Sequence, residues 1–248
     1  MSVSATEAVV DVRDPNSSGS GGACGKVLGL IHRPWQLGVG RVWVHDNESM
    51  GDENTIFRCF GTGDPLSETY HDHEWGVPIH DEGELFERLV LEGFQCGLSW
   101  SLILRRREGL RGALAGFAPS VLAKWGDEDV ERLLSDERVI RNRNKIRAAL
   151  GNARALLKLH ESGGRLGDLI WSSRPEAHQR PRTFAEMPAT TRQAEDLARA
   201  LKKAGFRFVG PTTMYATMQA VGVVNDHLVG CPAGDAIELS GWTGSDGP

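Results

Sequence analysis

The chain has 248 residues, enough for one large domain or two small ones with a true core. No apolar run approaches the ~18 residues that a membrane span requires. The opening MSVSATEAVVDVRDPNSS lacks the basic start and continuous apolar stretch of a secretory signal. Net charge is −5, yet residues 58–231 hold 24 basic and 23 acidic side chains, so local patches there decide what the chain binds. Only Cys24, Cys59, Cys96 and Cys231 are present. So few thiols suit a reducing compartment, taken as the cytoplasm, and favour metal ligation over a disulfide framework.

In chain order, residues 1–57 are rich in Gly, Ser and Asn and show no sustained helical period; they read as a poorly ordered N-terminal extension. The stretch RVWVH (41–45) is strand-like but has no evident partner. From residue 82 onward the pattern is helical. Leu85, Phe86, Leu89 and Val90 form one apolar stripe. The acidic run from Asp127 opens a helix carrying Val130, Leu133 and Leu134. Ile146, Leu150, Ala153, Leu156 and Leu157 predict a long helix stopping near Gly163 and Gly164. Thr190 or Thr191 caps another, with Leu197, Ala200, Leu201 and Ala204 facing inward. Alternating strand-type runs are nearly absent. The expected fold class is all-α.

That helix runs into LKKAGFRFVGP (201–211), and a new helical pattern, TTMYATMQAVG, follows. Helix, glycine-bracketed turn, helix is the layout of a helix-hairpin-helix element. Gly205 and Gly210 would permit positive φ and close approach of a ligand to the backbone. The free amides opening the second helix would favour a phosphate, and Lys202, Lys203 and Arg207 add charge beside them. A plain helix connection with solvated lysines is the alternative. A second cluster, Arg138, Arg141, Arg143, Lys145 and Arg147, would spread around a helix and reads as solvated surface.

His227 and Cys231 lie four residues apart in DHLVGC, a spacing at which two ligands can share one helical face. With RCFGTGDPLSETYHDHEWGVP (58–78), LEGFQCGLSW (91–100), GFRFVG and VNDHLVGC, the chain resembles the 3-methyladenine DNA glycosylase I family. The resemblance spans roughly residues 58–231, leaving 1–57 and a C-terminal tail, 232–248, outside it. It implies a helix-hairpin-helix glycosylase bundle acting on double-stranded alkylated DNA; a monomer is the simplest expectation, and the lack of a long apolar run argues against a membrane partner. The implied metal ligands are Cys59, His71, His227 and Cys231. Such a set fills a tetrahedral zinc shell and leaves no position for an activated water, so the zinc would be structural. His73 and His80 do not match the motif and read as surface residues.

The family's substrate implies a pocket for a flipped, cationic base, which stacks well on aromatic faces and leaves readily. The candidates are Tyr70, Trp75 and Trp100, with Glu92 as the catalytic carboxylate accepting hydrogen bonds from the base. The bulky neighbours in LVLEGF favour burial of Glu92 and a perturbed pKa. Gly97 and Leu98 match the family's loop that fills the gap left by the flipped base; core packing of Leu98 is the alternative. Phe60, Gly61 and Ser67 stand where the family pattern carries more aromatic residues, implying a less aromatic pocket. Residues 211–225 contain no acidic side chain, so a catalytic Asp in the helix after the hairpin is not available. Two rival readings remain: a non-catalytic, zinc-stabilised lesion-binding module, and a hydrolase using a catalytic zinc. Lys145 is a candidate amine for a lyase step.

Overall fold

The computed structural model describes residues 57–240, so the extension expected for 1–57, with its strand-like stretch, lies outside the described residues apart from Phe57. Among those described, all regular structure is helical: α1 (Pro65–His73), α2 (Glu82–Gln95), α3 (Trp100–Ala113), α4 (Pro119–Leu122), α5 (Asp127–Leu134), α6 (Arg143–Glu161), α7 (Leu166–Trp171), α8 (Arg192–Lys203), α9 (Pro211–Ala220) and α10 (Pro232–Leu239). The sequence places most of these boundaries. Asp81 accepts from the amides of Gly83 and Glu84 to cap α2, Asn142 caps α6 through Lys145 N–H, and Thr191 caps α8 through Ala194 N–H.

Helix α2 is the axis of the domain, packing against α3, α6, α7 and α9. Its second half, from Leu89 to Phe94, is buried on every side, as expected of a helix enclosed by others. Glu92 sits in the middle of that run. Around this axis α1 packs on α3 and α10, and α8 pairs with α9. The inward face of α8 is set by Ala194, Leu197, Ala198 and Leu201; Ala200 and Ala204, expected inward, are only half-buried.

The turn from α8 to α9 departs from expectation in one respect. Gly205 has φ +98°, and the amides of Gly205 and Phe206 donate to Lys202 and Leu201 carbonyls at 3.0 Å, closing α8 with a left-handed cap. Gly210, however, caps α9 at an ordinary φ of −69°. The second positive φ falls on Phe208, at +57°. The end of the domain also differs. The segment after Cys231, read as a tail, continues as α10, where Ile237 is buried and Arg180 pairs with Asp235 at 2.6 Å.

Candidate functional site

Two buried clusters lie side by side. The first joins the two ends of the described domain. Cys59, at its start, meets His71 from α1 and His227 and Cys231 from the loop before α10, with all four ligand atoms within 4.8 Å of one another and all four residues buried. Cys231 Sγ lies 3.4 Å from His227 Nδ1 and 3.5 Å from His71 Nε2, and Cys59 Sγ lies 3.7 Å from His227 Nδ1. The outward ring nitrogens are engaged too: His71 Nδ1 pairs with Asp72 Oδ1 at 2.7 Å, and His227 Nε2 with the Trp75 carbonyl at 2.9 Å. Such partners fix ring orientation and leave one nitrogen of each imidazole for a metal. Asp72 is held ionised, below the usual carboxylate range, chiefly by its bond from Arg58.

The thiols show why this set suits a cation. Contact with Cys59, then with His227 and His71, draws Cys231 toward thiolate, while the same contact with Cys231 and burial push the Cys59 thiol up. For both sulfurs, which lie within 4.8 Å of each other, to be thiolates, positive charge would be needed between them. The cluster can therefore hold a metal ion. His73 and His80 stay exposed, as read; His80 stacks on Trp171.

Arg180, which the sequence does not single out, fastens the loop that carries two of the ligands. Its guanidinium donates to the carbonyls of His227 at 3.0 Å, Leu228 at 2.7 Å and Cys231 at 3.2 Å. Residues 172–191 around it are largely irregular, so no periodic pattern marks it.

The second cluster holds the candidate pocket. Trp100 opens α3, immediately after the Ser99 cap, and its ring centroid lies 5.1 Å from that of Tyr70 on α1, at an interplanar angle of 48°. Both are buried, at 3% and 1% exposure. Glu92 is 4% exposed, and burial pushes its pKa up to about 8 against an opposing pull from Arg88 one turn earlier. Burial also raises the Tyr70 phenol, with the Glu92 charge the next contributor, which puts the two groups within electrostatic reach. Glu92 Oε2 and Trp100 Nε1 are buried without a hydrogen-bond partner. A buried polar atom left in this way is costly and marks a place where a ligand can repay it. The expected burial and shifted pKa of Glu92 are thus both present.

The floor of this cluster is ionic. Arg88 stands 5.5 Å from the Tyr70 ring centre and pairs with Glu74, which also receives Arg107 at 2.5 and 2.9 Å. Burial works against the Glu74 charge, but the two guanidinium groups hold its pKa below normal. This network fixes α1 against α2 and α3 beneath the tyrosine.

Trp75, a third candidate for the base pocket, packs on the Cys/His cluster, with ring centroids 4.6 Å from His227 and 4.9 Å from Phe60. Phe60 is the ring that adjoins both clusters, 6.5 Å from Tyr70 and 4.9 Å from His71. The departures at positions 61 and 67 fit one another. Gly61 has φ +88°, and a Cβ there would lie 2.9 Å from Ser67 Cβ. Ser67 is itself buried and donates to Asp64 Oδ2 at 2.6 Å.

The remaining candidates lie at the surface. Gly97 is exposed with φ +76°, Leu98 is half-buried against the core, and Lys202, Lys203, Gly205 and Arg207 are all exposed. In the second basic cluster Arg138, Arg143 and Arg147 are paired with Asp136, Glu131 and Asp127, as a solvated surface should be. Lys145 is different: its ammonium donates to the main-chain carbonyls of Phe94 and Cys96.

A family model described as methyladenine glycosylase matches residues 60–234. The DNA-3-methyladenine glycosylase 1 of Escherichia coli strain K12 is 48% identical over 171 residues, covering 68% of this chain and 91% of that protein. The DNA-3-methyladenine glycosylase of Haemophilus influenzae is 42% identical over 166 residues, covering 66% and 89%. A solved structure of the Staphylococcus aureus 3-methyladenine DNA glycosylase I, described as giving the structural basis of 3-methyladenine recognition, aligns with a TM-score of 0.67 at 32% identity, covering 71% of this chain and 94% of that one.

Proposed function

The chain belongs to the methyladenine glycosylase family, and on that premise we propose that it excises 3-methyladenine from double-stranded alkylated DNA by hydrolysing the N-glycosidic bond, leaving an abasic site. The observation that carries this reading is the buried Glu92 carboxyl with an unpartnered Oε2, within electrostatic reach of Tyr70, whose ring packs on that of Trp100. N-methylation makes the base cationic and a good leaving group, so the pocket needs aromatic faces and one negative group rather than a strong acid. Tyr70 and Trp100 would enclose the flipped base and Glu92 would accept its hydrogen bonds. As positive charge develops on the sugar, the same carboxylate would stabilise it.

The surface candidates complete the scheme. Leu98, presented by the Gly97 turn, would enter the gap in the stack. The α8–α9 turn, read as the helix-hairpin-helix element, would take the phosphate backbone through free amides, Lys202, Lys203 and Arg207. The Lys145 ammonium is engaged by two carbonyls, which supports reading the chain as a monofunctional hydrolase.

Cys59, His71, His227 and Cys231 would hold zinc. Zinc–sulfur and zinc–nitrogen bonds of ~2.3 and ~2.0 Å make tetrahedral edges of about 3.5 Å, which agrees with the 3.4, 3.5 and 3.7 Å separations. Four protein ligands saturate such an ion, so its contribution would be to tie the start of the domain to its end. No helix among the described residues is long and apolar enough to cross a membrane, and the free cysteines fit a cytoplasmic monomer.

The test is chromatography of the solution after incubation with methylated duplex DNA. Free 3-methyladenine and abasic sites are expected from the native chain, with little release by Glu92→Gln and no covalent adduct on borohydride treatment. Duplex binding without release would instead identify a lesion-binding module.

A further inference from the structure

A buried lysine and a buried asparagine each call for a reason, and α6 carries one of each, seven residues apart. Lys145 is 8% exposed. Its Nζ donates to the Phe94 carbonyl at 2.8 Å and the Cys96 carbonyl at 2.5 Å. These are among the last carbonyls of α2 and the entry to the Gly97–Leu98 turn, where the helix dipole favours a cation. Asn152 is 3% exposed. Its Oδ1 accepts from Arg207 N–H at 2.8 Å and its Nδ2 donates to the Arg207 carbonyl at 3.1 Å. Both bonds grip the backbone of the α8–α9 turn, next to Phe208 with its positive φ, a conformation that costs energy unless its surroundings enforce it.

Two turns of helix, about 10 Å, separate the two grips. Ala148 and Ala149 line the narrow gap between them, with Gly93 and Phe94 of α2 and Phe208 of the turn opposite. A further contact joins the two gripped segments directly: Cys96 Sγ lies 3.4 Å from Thr213 Oγ1 in the first turn of α9. Neither polar side chain is needed to fill the apolar core, since each ends on the main chain at the root of a surface turn.

We propose that Lys145 and Asn152 are positioning residues that make α6 a spacer, holding the Gly97–Leu98 turn and the hairpin at the separation at which both engage one duplex. The inference rests on the proposed assignment of those two turns to DNA. On this account the two residues act on duplex engagement and leave the Tyr70–Trp100–Glu92 pocket alone.

The experiment measures two affinities on the same protein: for a duplex carrying an abasic-site analogue, and for free 3-methyladenine. Lys145→Met and Asn152→Ala should each weaken duplex binding about tenfold while changing free-base affinity by less than about twofold, and Lys145→Arg should restore most of the loss. Two variants guard against one failing to fold. Unchanged duplex affinity in both, while Leu98→Ala weakens it, would overturn the proposal; so would an equal fall in both affinities, which is what a general loosening of the fold produces. If Leu98→Ala and Lys202→Ala themselves leave duplex affinity intact, the DNA-facing assignment fails, and the spacer role fails with it.

Discussion

The Cys/His cluster and the Glu92–Trp100–Tyr70 cluster are neighbours of similar depth, but their polar accounting is opposite. In the first, both nitrogens of each histidine have partners or face the other ligands, and Arg180 satisfies three carbonyls of the loop behind them. In the second, a carboxylate oxygen and an indole N–H are buried with nothing to bond. A cluster whose polar atoms satisfy one another, and which could hold a metal ion, would serve stability. On the proposed function, the one that keeps unsatisfied polar atoms spends stability on recognition. Experiments that break each cluster should therefore separate folding from activity.

The largest effect is expected from the closed cluster. Cys231→Ser removes a fully buried ligand and should cost more than ~4 kcal/mol, the range seen when a metal site or buried network is lost. Thermal melts with metal analysis should show both bound metal and the cooperative transition lost or sharply lowered. Glu92→Gln should do the reverse: base release falls on the order of 10²–10³, while the melting temperature holds or rises because a buried ionisable group has been removed. Equal damage to folding by both variants would break the comparison.

A pH series sharpens it. Burial raises the Glu92 pKa from 4.5 to about 8. The folded state thus keeps its proton over a window in which the unfolded chain has lost it, and stability falls as pH climbs from about 4.5 to 8, on the order of a few kcal/mol from this group. Activity should move the other way. The carboxylate is the form that balances a cationic base, so kcat/KM of the native chain should rise with pH, pass its half-maximum near 8 and level off above that. Both trends should flatten in Glu92→Gln, by calorimetry for the first and initial rates for the second.

Smaller effects belong to the surface. Lys202→Ala or Arg207→Ala should weaken duplex binding and reduce the slope of log affinity against log salt by about 1 each. Arg147→Ala, which breaks an exposed pair with Asp127, should change stability by less than ~0.5 kcal/mol in the same melts.

The contrast between the clusters also explains what the sequence could tell. Glu92 was legible because a single carboxylate inside LVLEGF interrupts an apolar helix, and the helix caps were legible because capping is local chemistry. The metal ligands were legible only through the resemblance: Cys59 and His227 are far apart in sequence, and the spacing of His227 and Cys231 alone left their partners open. The packing of Trp75 on Phe60 and His227 was not legible, because a tryptophan beside a motif histidine can face either cluster. Gly210 was read as permitting a positive φ, yet the positive φ falls on Phe208, next to the Arg207 backbone that Asn152 holds from another helix. Arg180 and Asn152 escaped notice, and Lys145 was noticed only for its charge, for one reason. Each acts through bonds to distant main-chain groups, which leave no periodicity and no motif.

The most direct test of the central claim is a structure of the chain with 3-methyladenine bound. The account predicts the base packed against Trp100 and Tyr70, with a base nitrogen within ~2.7–3.2 Å of Glu92 Oε2. A base bound elsewhere, with that oxygen still unpartnered, would contradict it.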